Sequence, residues 1–180
     1  MEKPVIIFGA KGIAHPALEI FNSNNVVVFG FLDEDEKIHG TEINTVSVLG
    51  NPEDDGFWKL IGQKTEAFIA EENPKYRKFL VELLNDRRKV QPVNAIHRRS
   101  FISTDATIGH GNFINANVNI GAGAEIGSHC IINSAAIIEH KAKLGDFVQI
   151  GAGSVINSEV TIEDGAFIGS GATIISGVTI

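Results

Sequence analysis

A parallel α/β unit followed by a three-sided coil of stacked short strands is the architecture that this 180-residue sequence predicts. Three observations carry the expectation. Apolar, strand-like runs alternate with helical stretches over residues 1–97; from Phe101 an aliphatic residue returns at every sixth position; and along that second part charge is scarce.

The first unit is assigned to residues 1–97. "PVIIFGAKG" is a short β-branched run that closes on a Gly-x-x-Gly turn at Gly9 and Gly12, and "IAHPALEIFNSN" reads as the helix after it. "VVVFGFLDEDE" is a second strand ended by acids, "PEDDGFWKLIGQ" a second helix and "EAFIAEE" a third strand. "NPKYRKFLVELLNDRRK" is a helix with Asn73 and Pro74 at its start and arginines at its end. A side-chain acceptor and proline favour a first turn, and cations favour a last one. Such alternation makes a small, Rossmann-like parallel sheet. "VQPVNAIHRRS" then serves as strand and linker into the second unit, residues 98–180.

That unit cuts into sixes without an insertion: FISTDA, TIGHGN, FINANV, NIGAGA, EIGSHC, IINSAA, IIEHKA, KLGDFV, QIGAGS, VINSEV, TIEDGA, FIGSGA, TIISGV. The second position is always Ile or Leu, and the sixth is mostly small. A period of six is neither helical nor that of a long alternating strand. It fits short strands joined by turns, three to a coil, with the next coil stacked at roughly the 4.8 Å strand spacing. Each inward aliphatic is then worth roughly 1.5–3 kcal/mol of burial. The chain ends at Ile180, two residues into a new hexad, so the coil reads as truncated there.

A net charge of −7 argues against nucleic acid or an anionic membrane as partner. Apolar runs stay below the roughly 20 residues of a membrane span, and the N-terminal stretch lacks the layout of a signal peptide. A single cysteine, Cys130, staples nothing and falls in an inward small slot. The expected location is the cytoplasm.

Candidate chemistry falls in two places. A glycine turn after a first strand aims backbone N–H groups at an anion, and Asp33 and Glu34 close the second strand; ribose, base or phosphate would lie between them. The turn lacks the third glycine of the dinucleotide fingerprint, so a plain tight turn and a solvated acidic loop are the competing reading. His140 takes the fourth position of its hexad, at a turn and outside the aliphatic core, where an imidazole titrating near neutrality serves as a base. An exposed corner histidine is the bland alternative. His97, His110 and His129 lie at other registers, and from His97 onward no two histidines differ by a multiple of eighteen. Stacked zinc ligands are therefore missing and no metal is expected. Asn115 and Asn133 do differ by eighteen and should form a ladder, and Trp58 reads as core on a helix face.

The hexads, together with the Gly-x-x-Gly turn, "FLDED" and "NAIHRRSFIS", resemble the hexapeptide-repeat sugar N-acetyltransferases of bacterial glycan synthesis, the PglD/NeuD group, over essentially the whole chain. The resemblance implies a left-handed parallel β-helix and a homotrimer with sites in clefts between protomers. It implies that the N-terminal domain holds a nucleotide-linked amino sugar, through Gly9, Gly12, Asp33 and Glu34, while the β-helix binds acetyl-CoA, through Gln149, Gly153, Gly169 and Ser170. His140 would be the general base of a direct transfer, spaced from Asn133 as in the group's N-x6-H pattern, with Asn133 orienting; Glu139 or a carboxylate from a neighbouring protomer is expected to stand in for the acid that follows the histidine in that group. Lys141 stands where the group usually has that acid, Gln149 where it has a second histidine, and Ile13 where it has a histidine after the turn. Two alternatives remain beside N-acetylation: a sugar O-acetyltransferase, and a non-catalytic trimeric assembly or nucleotide-sensing module.

Overall fold

The computed structural model describes residues 2–180, and the chain divides into two compact units between Val93 and Asn94. The first contains β1 (Val5–Phe8), α1 (Ala14–Ser23), β2 (Val28–Leu32), β3 (Glu42–Ile43), β4 (Val46–Gly50), α2 (Asp55–Trp58), β5 (Glu66–Ile69) and α3 (Pro74–Arg88). The sheet runs β3-β4-β2-β1-β5. Strands β4, β2, β1 and β5 are parallel, whereas β3 is antiparallel to β4. Central β1 is apolar at every position and wholly buried, as a strand covered on both faces must be. Ile6, Phe8, Leu32, Trp58, Leu80 and Leu84 form the core around it.

Two local expectations change here. No clear strand or helix signal marks "TEINTVSV", yet it forms the β3–β4 hairpin, so the sheet is mixed and not wholly parallel. Asn44 (φ 45°) and Thr45 (φ 71°) are both left-handed, as the two-residue turn that matches strand twist requires. Asn-Thr in place of Asn-Gly hid that signal. The second helix shrinks to Asp55–Trp58, because the chain after it turns tightly: the N–H groups of Lys64 and Thr65 both donate to Leu60 O, at 2.8 and 3.0 Å. Trp58 keeps its core place, with Nε1–H donating to Pro52 O at 3.0 Å and the Arg87 guanidinium 5.0 Å from the ring centre. The third helix begins as read from the sequence, with Asn73 Oδ1 accepting from the N–H groups of Lys75 and Tyr76 at 3.0 and 3.2 Å.

The second unit opens on Ala95–Ile96, which pairs with Phe113–Ile114, so the linker segment is itself the first rung. The rungs stack into three parallel sheets. One face carries Phe101, Ile137 and Val155 at its outward positions, a second Glu125 and Lys143, and a third Phe113, Ile131 and Gln149. Neighbours are eighteen residues apart, as in Ile120 beside Ile138 and Ile138 beside Ile156. The fold is the expected left-handed parallel β-helix. Ile114, Ile120, Ile132, Ile138, Ile150 and Ile156 are all 0% exposed inside it, and Ala124, Cys130, Ala136 and Ala142 fill the corners.

The corners impose a demand the period did not reveal. From Gly111 onward the fifth residue of each hexad is left-handed, whether glycine, as at Gly153 and Gly165, or not, as at Asn117, His129, Ala135, Lys141, Phe147 and Glu159. Gly165 (φ +72°) has open space where a Cβ would lie, so a substitution there is opposed by backbone conformation alone. Gly165→Ala is expected to cost about 1 kcal/mol, read as a lower urea midpoint with an unchanged slope.

Candidate functional site

In the α/β unit, β1 runs between β2 and β5, so successive connections leave it on opposite sides and open a crevice at the carboxyl ends of the strands. The Gly9–Gly12 turn, Asp33 and Glu34 after β2, Glu72 after β5, and Tyr76 of α3 line that crevice. The four residues expected from the sequence are thus brought together. Gly9 (φ +97°) is required for steric reasons as well, since a Cβ would lie 2.5 Å from Ala70 O.

The two acids take different parts. Asp33 is 7% exposed; its Oδ2 accepts from the N–H of Ala10 at 2.8 Å and its Oδ1 from that of Asp35 at 2.9 Å. Its carboxylate therefore braces the glycine turn. Glu34 beside it is exposed. At the tip of the turn, Lys11 Nζ donates to Asp35 Oδ2 at 2.7 Å. That hydrogen bond raises the Lys11 ammonium above its ordinary value and lowers the Asp35 carboxyl below its own. The pair's contribution thus fades only as pH falls through the lowered carboxyl value or rises through the raised lysine value. The Tyr76 hydroxyl is shut from solvent without a hydrogen bond of good geometry. Burial first, and the nearby Glu34 charge second, hold the phenol well above its usual range.

Lys11, Glu72 and Tyr76 were absent from the sequence reading. The asparagine and proline that start α3 placed this loop just after the third predicted strand, but only the sheet order puts that strand beside β1.

In the coil the expected residues sort onto two corners. Asn133, Gly153, Gly169 and Ser170 share the edge that follows the Phe113, Ile131 and Gln149 face. Nothing lies within 4 Å of where a Cβ would sit on Gly153 or Gly169, so this edge offers bare backbone and open space. Asn133 Nδ2 donates to Ile150 O at 3.2 Å, while Asn115 Oδ1 accepts from the N–H of Ala116 at 2.8 Å. The asparagine column is thus tied to backbone instead of forming side-chain rungs.

His140 and Glu139 occupy the next corner, after Ile137–Ile138. One whole side of the triangle separates Asn133 from His140 of the same chain. The His140 side chain is 56% exposed, with Nδ1 3.9 Å from Glu139 Oε2. Lys141 Nζ is 4.0 Å from Glu159 Oε1, so a carboxylate stands beside the imidazole and another beside the adjacent cation. His129 is buried and tilted against Phe147, ring centres 4.8 Å apart. Among the described residues no group of three or more His, Cys, Asp or Glu is placed to hold a metal ion, and no helix is long and apolar enough to cross a membrane.

Comparison with known proteins adds the following. The bacterial transferase hexapeptide family (six repeats) matches residues 141–176. No curated protein matches the sequence. Among solved structures, a variant of GDP-perosamine N-acetyltransferase from Caulobacter crescentus, in complex with CoA and GDP-perosamine, is similar with 24% identity and a TM-score of 0.75, over 98% of this chain and 90% of that one. The acetyltransferase domain of PglB from Neisseria gonorrhoeae FA1090 is similar with 20% identity and a TM-score of 0.79, over 99% and 96%. WeeI from Acinetobacter baumannii AYE is similar with 21% identity and a TM-score of 0.74, over 98% and 93%. Over nearly its whole length, the chain shares the fold of acetyltransferases that include an enzyme N-acetylating a nucleotide sugar.

Proposed function

We propose that this protein is an acetyl-CoA-dependent N-acetyltransferase acting on the amino group of a nucleotide-linked sugar. The observation that carries the reading is His140, held outside the aliphatic core at a coil corner with the Glu139 carboxylate 3.9 Å from Nδ1. The fold shared with a sugar N-acetyltransferase that binds CoA and GDP-perosamine supports it, as does the switch-point crevice of the α/β unit, where Gly9, Gly12, Asp33 and Glu34 would hold the nucleotide.

The chemistry follows from the residues present. The imidazole of His140 takes a proton from the sugar amine as its nitrogen bonds to the thioester carbonyl carbon, and Glu139 steadies the imidazolium. Collapse of the tetrahedral adduct breaks the C–S bond, and the imidazolium returns its proton to the departing thiolate, which leaves as the thiol and restores the base. The Gly153 N–H is itself donated to Ser134 O at 2.9 Å, so Gly153 and Gly169 offer the coenzyme open space, and other backbone N–H groups of "QIGAGS" or "FIGSGA" are suited to the oxyanion, with Gln149 and Ser170 alongside. No nucleophile is needed, and the Cys130 thiol is buried.

Because Asn133 and the glycine edge lie a full side from His140, the site is completed by the edge of a second copy, which a homotrimer supplies. The outward column Phe101, Asn119, Ile137, Val155 and Thr173 carries no charge, whereas the next face holds the Glu125–Lys143 pair at 2.9 Å. That column and the likewise uncharged Phe113, Ile131, Gln149 and Phe167 column, where Phe167 is exposed, are the ones suited to burial between copies. A cytoplasmic location fits both substrates.

The test is thiol release from acetyl-CoA with a panel of UDP- and GDP-linked amino sugars and their hydroxyl counterparts. Turnover is expected with an amino sugar only. Turnover of the hydroxyl sugars instead would make it an O-acetyltransferase, and none at all would leave a non-catalytic assembly or sensing module.

A further inference from the structure

We infer that the crevice of the α/β unit takes a guanine base and that the Glu34 carboxylate selects it. The inference rests on the reading that this crevice holds the nucleotide.

Leu32, Pro52, Leu80 and the ring of Tyr76 supply apolar lining, which suits a flat heterocycle better than a ribose or a diphosphate. The charged groups around it are mostly committed. Lys11 is bonded to Asp35 at 2.7 Å. Asp33 accepts from the N–H groups of Ala10 and Asp35, and Glu71 Oε1 accepts from that of Asn73 at 2.7 Å. Glu72 packs its carboxylate over Gly12 of the turn. Glu34 and Glu72 are the exposed acids that line the crevice; Glu34 acts on the Tyr76 phenol by its charge and by a side-chain hydrogen bond, which leaves lone pairs on both of its oxygens for a ligand.

A carboxylate presents two acceptors side by side and no donor. Guanine offers a match, because its N1–H and its N2 amino group are adjacent donors that engage both oxygens in a charge-assisted, bidentate pair. Uracil has one N–H set between two carbonyls, whose lone pairs would face those of the carboxylate. Adenine and cytosine each place a ring acceptor beside their amino group. Only guanine satisfies both oxygens without opposing lone pairs, and discrimination of about tenfold or more is the size such pairings reach.

The test is calorimetric binding of GDP, UDP and IDP, which lacks the N2 amino group, to the full chain and to Glu34→Gln. Wild type should bind GDP at least about tenfold more tightly than either UDP or IDP. In Glu34→Gln, the amide NH2 confronts one of the guanine donors, so the three ligands should bind alike, with thermal melting unchanged because Glu34 is exposed. UDP binding as tightly as GDP, IDP binding as tightly as GDP, or a GDP preference that survives Glu34→Gln would each overturn the base assignment while leaving the crevice a nucleotide site. If none of the three binds at millimolar concentration, the nucleotide reading fails and the assignment with it. The IDP comparison needs only wild type, so a variant that folds poorly does not rescue the idea.

Discussion

His140→Ala should abolish acetyl transfer in a protein that still folds and still binds both substrates. The side chain is 56% exposed and packs into no core cluster, so the stability change should stay within about 0.5 kcal/mol. Removal of a positioned general base typically lowers kcat by about 10²–10⁴. The loss should appear in kcat, with coenzyme and nucleotide-sugar affinities close to wild type. A second arm tests the geometry. Asn133 and His140 occupy different corners of one chain, so Asn133→Ala chains mixed and reassembled with His140→Ala chains should recover activity that neither has alone. Recovery is impossible if each site is built within one protomer. A His140→Ala protein that turns over its sugar at the wild-type rate would remove the base, and with it the proposed mechanism.

The largest structural effect is expected from Ile150→Asp. Ile150 is 0% exposed and stacks between Ile132 and Ile168 on successive coils. An aspartate there is either ionised with no partner in an aliphatic interior or protonated at a high free-energy cost, and an uncompensated buried charge costs several kcal/mol. That is comparable to the whole stability of an ordinary domain, about 5–15 kcal/mol. The variant should lose its cooperative unfolding transition, and amide protection should vanish first on the two coils that flank residue 150. Ile150→Val, which removes one methylene in the same place, should cost only about 0.5–1.5 kcal/mol. A wild-type urea midpoint for Ile150→Asp would mean that this column does not face the interior.

Much of the coil was legible along the chain. Each rung meets the same residue types eighteen positions away, so nearest-neighbour stacking turns a one-dimensional period into a three-dimensional fold. Ile102 through Ile174 could be placed inward, and His140 outside the core, without any knowledge of distant partners. The glycine turn and the acids after β2 were legible for a similar reason, as each is a short-range feature at the end of a strand.

What remained hidden depended on contacts between residues far apart in sequence. The β3–β4 hairpin joins the sheet through β4 pairing with β2, and its Asn44–Thr45 turn lacks the glycine that would have announced it. The second wall of the crevice, with Glu72 and Tyr76, exists because β5 lies beside β1, which no local pattern specifies. Asn133 and His140 sit seven residues apart and read as one motif. A hexad spans one side of the triangle, so that spacing carries the chain round to the next corner. The sequence by itself therefore determined the coil and what points into it. Only the tertiary structure decided which residues share an edge, because strand order and corner are set by long-range backbone pairing.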